Sequence, residues 1–269
     1  MLRFAAPMFF AAWALAAAAA GAATPAPVAL ESMTSPELAA RIAAGATIAI
    51  VPIGGTEQNG PYMTLGKHNA RVAVLAARIA ERLGNAVVAP VVAYVPEGAV
   101  SPPQAHMRYA GTISIPERAF ESTLEGAAAS LRQHGFRDIV LLGDHGGYQA
   151  SLARVAARLD KAWAGSPARV HAIPEYYRAS SSGYDATLAA KGHSRAEIGT
   201  HAGLADTSLT LATAPQDVRS DALRAASDPS AAPGVAGDPR RASAALGEAG
   251  VDAIVASTVE AIRKAVARR

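Results

Sequence analysis

The chain has 269 residues, 51% of them hydrophobic and 17% charged, with a formal net charge of +3. That length can bury a full core, most simply as one large α/β domain, and so small a charge excess excludes the clustered basic stripe of a nucleic-acid binder. Cysteine is absent, so disulfides, thiolate ligands and a lipidated cysteine are excluded, and any metal must be held by His, Asp and Glu.

The opening MLRFAAPMFFAAWALAAAAAGAATPAP carries one basic residue, an apolar Ala-rich run and then small residues before prolines. This layout predicts a secretory signal peptide over 1–23, and a mature chain from 24 to 269 that is exported and free of stable membrane association after cleavage. The competing reading is an uncleaved anchor, because the run approaches the length that spans a bilayer.

Thr34 and Glu37 form a capping box around a proline, which predicts a short helix closed by a glycine. ATIAIVPI (46–53) reads as a buried strand, 69–84 as an amphipathic helix, and 85–95 as a second strand region limited by Pro90. A helix over 116–135, a strand over 137–144, a helix over 148–165 and a strand over 168–177 follow. Continuous apolar strands alternating with helices predict an α/β fold with a parallel, helix-covered sheet. Residues 96–115 and 219–241 read as long loops, the second preceding a final helix over 242–267. Loops of such length inside a domain are often functional.

In open parallel sheets, ligands bind beyond the carboxyl ends of the strands. The first strand ends at Gly54-Gly55-Thr56-Glu57, and the 137–144 strand ends at GDHGGYQ, which places Asp144 and His145 on a Gly-rich turn. THAGLADTSLTLA puts His201 and Asp206 near the start of another helix. Glu57, His68, His145 and Asp206 offer the oxygen and imidazole ligands that divalent metals take. Each has a plainer role available: Glu57 and Asp206 as caps, His68 as a first-turn helix residue. His145 is the hardest to explain by packing, being flanked by glycine at a strand end. Asp144 is placed to orient a ligand or act in catalysis, while His106, Tyr148 and Glu175 are candidate substrate contacts. His134 sits where a helix dipole favours partial positive charge.

VPIGGTEQNGPYMTLG, YAGTISI, HGFRDIVLLGDHGGYQ, HAGLADTSL and GVAGDPRRASAALGEAG occur in the order that identifies the chain as resembling the creatininase (creatinine amidohydrolase) family, from about residue 35 to the C-terminus. The resemblance implies a three-layer α/β/α fold with a mostly parallel sheet, one or two divalent metals, often zinc, hydrolysis of C–N bonds in cyclic or linear amides, and a homo-oligomer. It also implies a proton-shuttling role for His201. The pattern is altered in places. The family's His two residues after Glu57 is Asn59 here; its Asp is His68; NGHGGN becomes GDHGGY; and HAGExET becomes HAGLADT, with Asp206 as the surviving acid.

An imidazole at position 68 binds through a single nitrogen where a carboxylate could bridge two ions. The expectation is therefore one ion per chain, Zn2+ or another divalent metal such as Mn2+. Glu57, His68 and His145 would hold it, with Asp206 or water completing the site. Such an ion lowers the pKa of bound water toward about 7 and polarises an amide carbonyl. The expected substrate is a small-molecule amide. A binding protein that has lost catalysis is the alternative, motivated by Asn59, His68 and Leu204 in place of family ligands. A serine hydrolase is excluded, because no G-x-S-x-G elbow occurs at a strand-to-helix turn.

Overall fold

Six consecutive residues, Ile48–Ile53, form β1, and every one of them is buried. A strand buried on both faces needs helices on both faces. The computed structural model, which describes residues 27–268, supplies them around a four-stranded sheet in the order β2-β1-β3-β4. β2 is Ala86–Val88, β3 Asp138–Gly143 and β4 Arg169–Ala172, and all three pairings are parallel. The expected leader over 1–23 lies outside the described residues.

In chain order the helices are α1 (Ser35–Ala43), α2 (Lys67–Leu83), α3 (Glu117–Gln133), α4 (Gln149–Ala162), α5 (Pro174–Arg178), α6 (Tyr184–Ala190), α7 (Arg195–Ile198), α8 (Leu204–Thr213), α9 (Ser220–Ala225) and α10 (Ala244–Ala267). Strand periodicity sorts them into layers. Ile48, Ile50, Val140 and Leu142 pack with Val72 and Leu75 of α2, Leu209 of α8 and Ile254 of α10. The alternate residues Ala49, Val51, Ile139 and Leu141 pack with Phe120 and Leu124 of α3 and Leu152 and Val155 of α4. The result is the expected three-layer α/β/α arrangement.

Three boundaries differ from the sequence expectation. The second strand stops at Val88 because Pro90 has no N–H to continue the ladder, although the backbone returns to β1 where Val92 N–H donates to Pro52 O at 2.9 Å. The fourth strand ends at Ala172 and Pro174 opens α5, since proline is as much at home in a first helical turn as after a strand. The 219–241 segment contains α9 and short 3-10 turns rather than pure loop. Between α5 and α6 the chain makes a π-turn over Ala179–Gly183. Among the described residues no helix is long and apolar enough to cross a membrane.

Candidate metal centre

β1 and β3 are neighbours, and both run toward the same sheet edge. The loops leaving them therefore meet. Directly after β1, Gly54 and Gly55 are required by close approach: a Cβ on Gly54 would stand 2.1 Å from Asn69 Oδ1, and one on Gly55 2.5 Å from Glu97 Oε1. Gly55 also has φ +151°, which side chains rarely adopt. The loop is then pinned by Asn69, whose Oδ1 accepts from Gly55 N–H at 2.9 Å. Asn59 Nδ2 donates to Glu57 O at 3.0 Å and Thr64 O at 2.8 Å. Asn59 thus braces the loop and offers its amide to backbone.

Glu57 emerges at the centre with no exposed surface. Its Oε1 lies 2.8 Å from His68 Nε2, 3.4 Å from Lys67 Nζ and 3.8 Å from His201 Nδ1. Its Oε2 faces His106 Nε2 at 3.4 Å and His145 Nε2 at 3.7 Å, and has no hydrogen-bond partner among the described residues. Burial alone raises a carboxyl, but the Lys67 ammonium and the hydrogen bond from His68 outweigh it and hold Glu57 well below the usual carboxylate range.

His68 occupies the first turn of α2. Its second nitrogen, Nδ1, is 2.6 Å from Asp144 Oδ2. Burial and Lys67 disfavour charge on this ring, yet the two flanking carboxylates prevail and raise its pKa. Asp144 is held from other sides as well: Arg71 Nε donates to Oδ2 at 2.8 Å and the Tyr176 hydroxyl to Oδ1 at 2.6 Å. A carboxylate behind a ligating histidine fixes its tautomer and orientation, and Asp144 stands in that place behind His68.

His145 follows β3. Burial first, then the charge on His68, lower it to about 4, leaving a neutral imidazole. Gly147 N–H donates to its Nδ1 at 3.2 Å, and Glu97 Oε2 stands 3.6 Å from the same nitrogen. With Nδ1 accepting that bond, the proton of the neutral ring lies on Nε2, 3.7 Å from Glu57 Oε2. Burial, then repulsion from Glu57, push Glu97 up to about 8.

Glu57, His68 and His145 each place a ligand atom within 4.8 Å of the others, and so do Glu57, His106 and His201. An ionised Glu57 oxygen without a hydrogen-bond partner beside the neutral His145, with His68 Nε2 free to exchange its proton for an ion, fits a divalent ion at the first trio. His106 and His201 stack at 4.4 Å between ring centroids. His201 Nε2 donates to Gln58 O at 2.8 Å, and burial, then Lys67, lower its pKa to about 4. These rings open on a cleft of about 390 Å3 that continues past Tyr177, Ser180, Ser181 and Asp185.

Three expected roles are placed differently. Asp206 is not in the first trio: its Oδ2 accepts from Lys67 Nζ at 2.8 Å and its Oδ1 from Arg71 Nη1 at 3.0 Å, because two cations on one face of α2 reach it. Tyr148 is fully buried, and its hydroxyl is bound to Ile53 O at 2.8 Å and Gly54 O at 2.6 Å. It staples the ends of β1 and β3 and cannot touch substrate. Glu175 lies in α5 outside the cleft, paired with Arg178 at 2.7 Å.

Sequence reasoning also passed over Lys67, Arg71 and Glu97 as parts of the centre. Lys67 and Arg71 stand four apart at a helix start, a spacing that puts both charges on one face, and Glu97 is the one acid in the 96–115 loop.

The creatininase family model, described as creatinine amidohydrolase, matches residues 31–262. The mycofactocin precursor peptide peptidase of Mycolicibacterium smegmatis is 31% identical over 220 residues, covering 74% of this chain and 77% of that protein. The creatinine amidohydrolase of Pseudomonas putida is 29% identical over 113 residues, 42% of this chain and 43% of that protein. A crystal structure of creatinine amidohydrolase (creatininase) superposes with a TM-score of 0.74 at 23% identity, over 90% of this chain and 99% of that one. A creatininase described with Mn and a mutant of Zn-Zn type each give a TM-score of 0.73 at 24% identity, over 90% of this chain and 99% of theirs. At that identity the likeness speaks for the fold.

Proposed function

The chain belongs to the creatininase family, and from that premise we propose that it is a metal-dependent hydrolase that cleaves the C–N bond of a small cyclic or linear amide. The observation that carries this reading is Glu57 Oε2, buried and without a hydrogen-bond partner, facing His106 and His145 at the floor of the cleft. The named relatives, a creatinine amidohydrolase and a peptidase, support hydrolysis at a C–N bond.

Glu57, His68 and His145 would hold one divalent ion, zinc or manganese. Bound there, it supplies Lewis-acid polarisation of the amide carbonyl and an acidified water. The chain's own residues do the rest. Asp144 holds the His68 ring in register, and Gly147 N–H and Glu97 flank the Nδ1 side of His145. His201, neutral at physiological pH with Nε2–H on Gln58 O, would accept a proton at Nδ1, in competition with the Lys67 ammonium 3.5 Å away, as water oxygen joins the carbonyl carbon. It returns that proton to the nitrogen as the C–N bond breaks. His106 and the Ser180–Ser181 wall line the space left for substrate.

Asn59, turned to the backbone, favours a second reading, a binding protein that has lost catalysis. The two separate on one assay: amine release from a panel of lactams, linear amides and short peptides, with and without added zinc or manganese. Metal-dependent turnover abolished by His145→Ala supports the hydrolase. Ligand binding without turnover supports the alternative, and turnover on peptides alone would replace the non-peptide substrate class. We further propose that residues 24–269 act as one exported domain after loss of the 1–23 leader, and that the protein is a homo-oligomer.

A further inference from the structure

Lys67 is a fully buried cation that the hydrolytic reading leaves unused. Its side chain has no exposed surface. Burying an ammonium is costly unless each N–H finds an acceptor, and here three groups converge: Asp206 Oδ2 at 2.8 Å, Glu57 Oε1 at 3.4 Å and His201 Nδ1 at 3.5 Å. Two carboxylates and an imidazole are ligand types that a divalent ion takes, although around the ammonium they stand wider apart than the two trios whose ligand atoms lie within 4.8 Å of one another. The set shares Glu57 with the first trio but draws its other members from the opposite side, where α8 begins. His201 donates through Nε2 to Gln58 O, so Nδ1 carries the lone pair aimed at the ammonium.

We infer that Lys67 is a resident cation in a second cation pocket formed by Glu57, Asp206 and His201, and that it excludes a second metal from this chain. The ammonium keeps Asp206 and Glu57 ionised, as a metal would, but carries no exchangeable water. It therefore contributes positive charge beside the cleft and no second nucleophile. Asp206 then has a function as Lys67's counter-ion, consistent with its absence from the first trio. The inference rests on the one-ion reading only for the first site.

The test compares metal content of the full chain as isolated with that of Lys67→Met, which keeps length and removes charge, after zinc loading and dialysis. The variant is expected to gain about one ion relative to the unmodified chain, and Asp206→Ala added to Lys67→Met should abolish that gain. No gain in a folded Lys67→Met overturns the inference, as does a gain indifferent to Asp206. Should Lys67→Met fail to fold, Lys67→Gln serves, and a second ion taken up by the unmodified chain would overturn the inference without any variant. The number of ions on the unmodified chain judges the one-ion reading separately: none there sinks that reading, whatever Lys67→Met gains.

Discussion

His68 and Asp144 share a hydrogen bond of 2.6 Å between Nδ1 and Oδ2, deep in the protein and on the side of the ring away from Glu57. The contact ties the first turn of α2 to the end of β3. It also leaves a single nitrogen, Nε2, for any ligand on the Glu57 side.

Asp144→Asn keeps the shape of that contact and removes its charge. Losing a carboxylate behind a ligating histidine typically weakens metal binding by about 10–100-fold, and that is the expected result in a zinc competition titration. Arg71 retains Asp206 at 3.0 Å as a counter-ion, so the fold should survive, with a lowered melting temperature. Unchanged zinc affinity would show that His68 is not a ligand.

Glu97 makes the metal-free protein sensitive to pH. Its folded pKa is raised from 4.5 to about 8 by burial and by Glu57. Between those values the folded chain holds a proton that the unfolded chain releases, so stability falls as pH rises through that window. The slope is at most about 1.4 kcal/mol per pH unit. Glu97→Gln should remove this slope, so that its advantage over the unmodified chain grows from about pH 5 to about pH 8 in urea unfolding of chelated protein. Parallel profiles would mean that Glu97 titrates normally.

Much of this arrangement is legible in the sequence, for physical reasons that differ by residue. β1 and β3 are unbroken apolar runs, and the ends of such strands are where a parallel sheet gathers its chemistry, so Glu57 and His145 stand out. Glu175 reads from sequence as the far end of a strand, since Pro174 can start a helix as readily as end a strand. Asp206 carries the right chemistry for a ligand, but no local pattern reveals that Lys67, 139 positions away, reaches it first. Tyr148, at a strand-to-helix turn, has a hydroxyl whose direction depends on where β1 ends, which is a tertiary fact.

Tyr148→Phe tests that direction. The hydroxyl's single proton is shared between Ile53 O and Gly54 O, and its oxygen accepts from His145 N–H at 3.0 Å. Its removal leaves buried backbone groups unpaired and should cost about 1–3 kcal/mol of stability. KM for any amide substrate should not change. A raised KM with unaltered stability would return Tyr148 to the substrate-binding surface.

Zinc and manganese content per chain, measured by mass spectrometry on protein purified without chelator, bears on everything proposed for the site. The expected value is about one ion per chain, since three protein ligands and a water complete a tetrahedral site. Glu57→Gln and His145→Ala should each lose the ion while keeping a native circular-dichroism spectrum, and Asn59→Ala should keep it. An unmodified chain without metal, with Glu57→Gln no different, would contradict the metal centre and leave a buried charge network in its place.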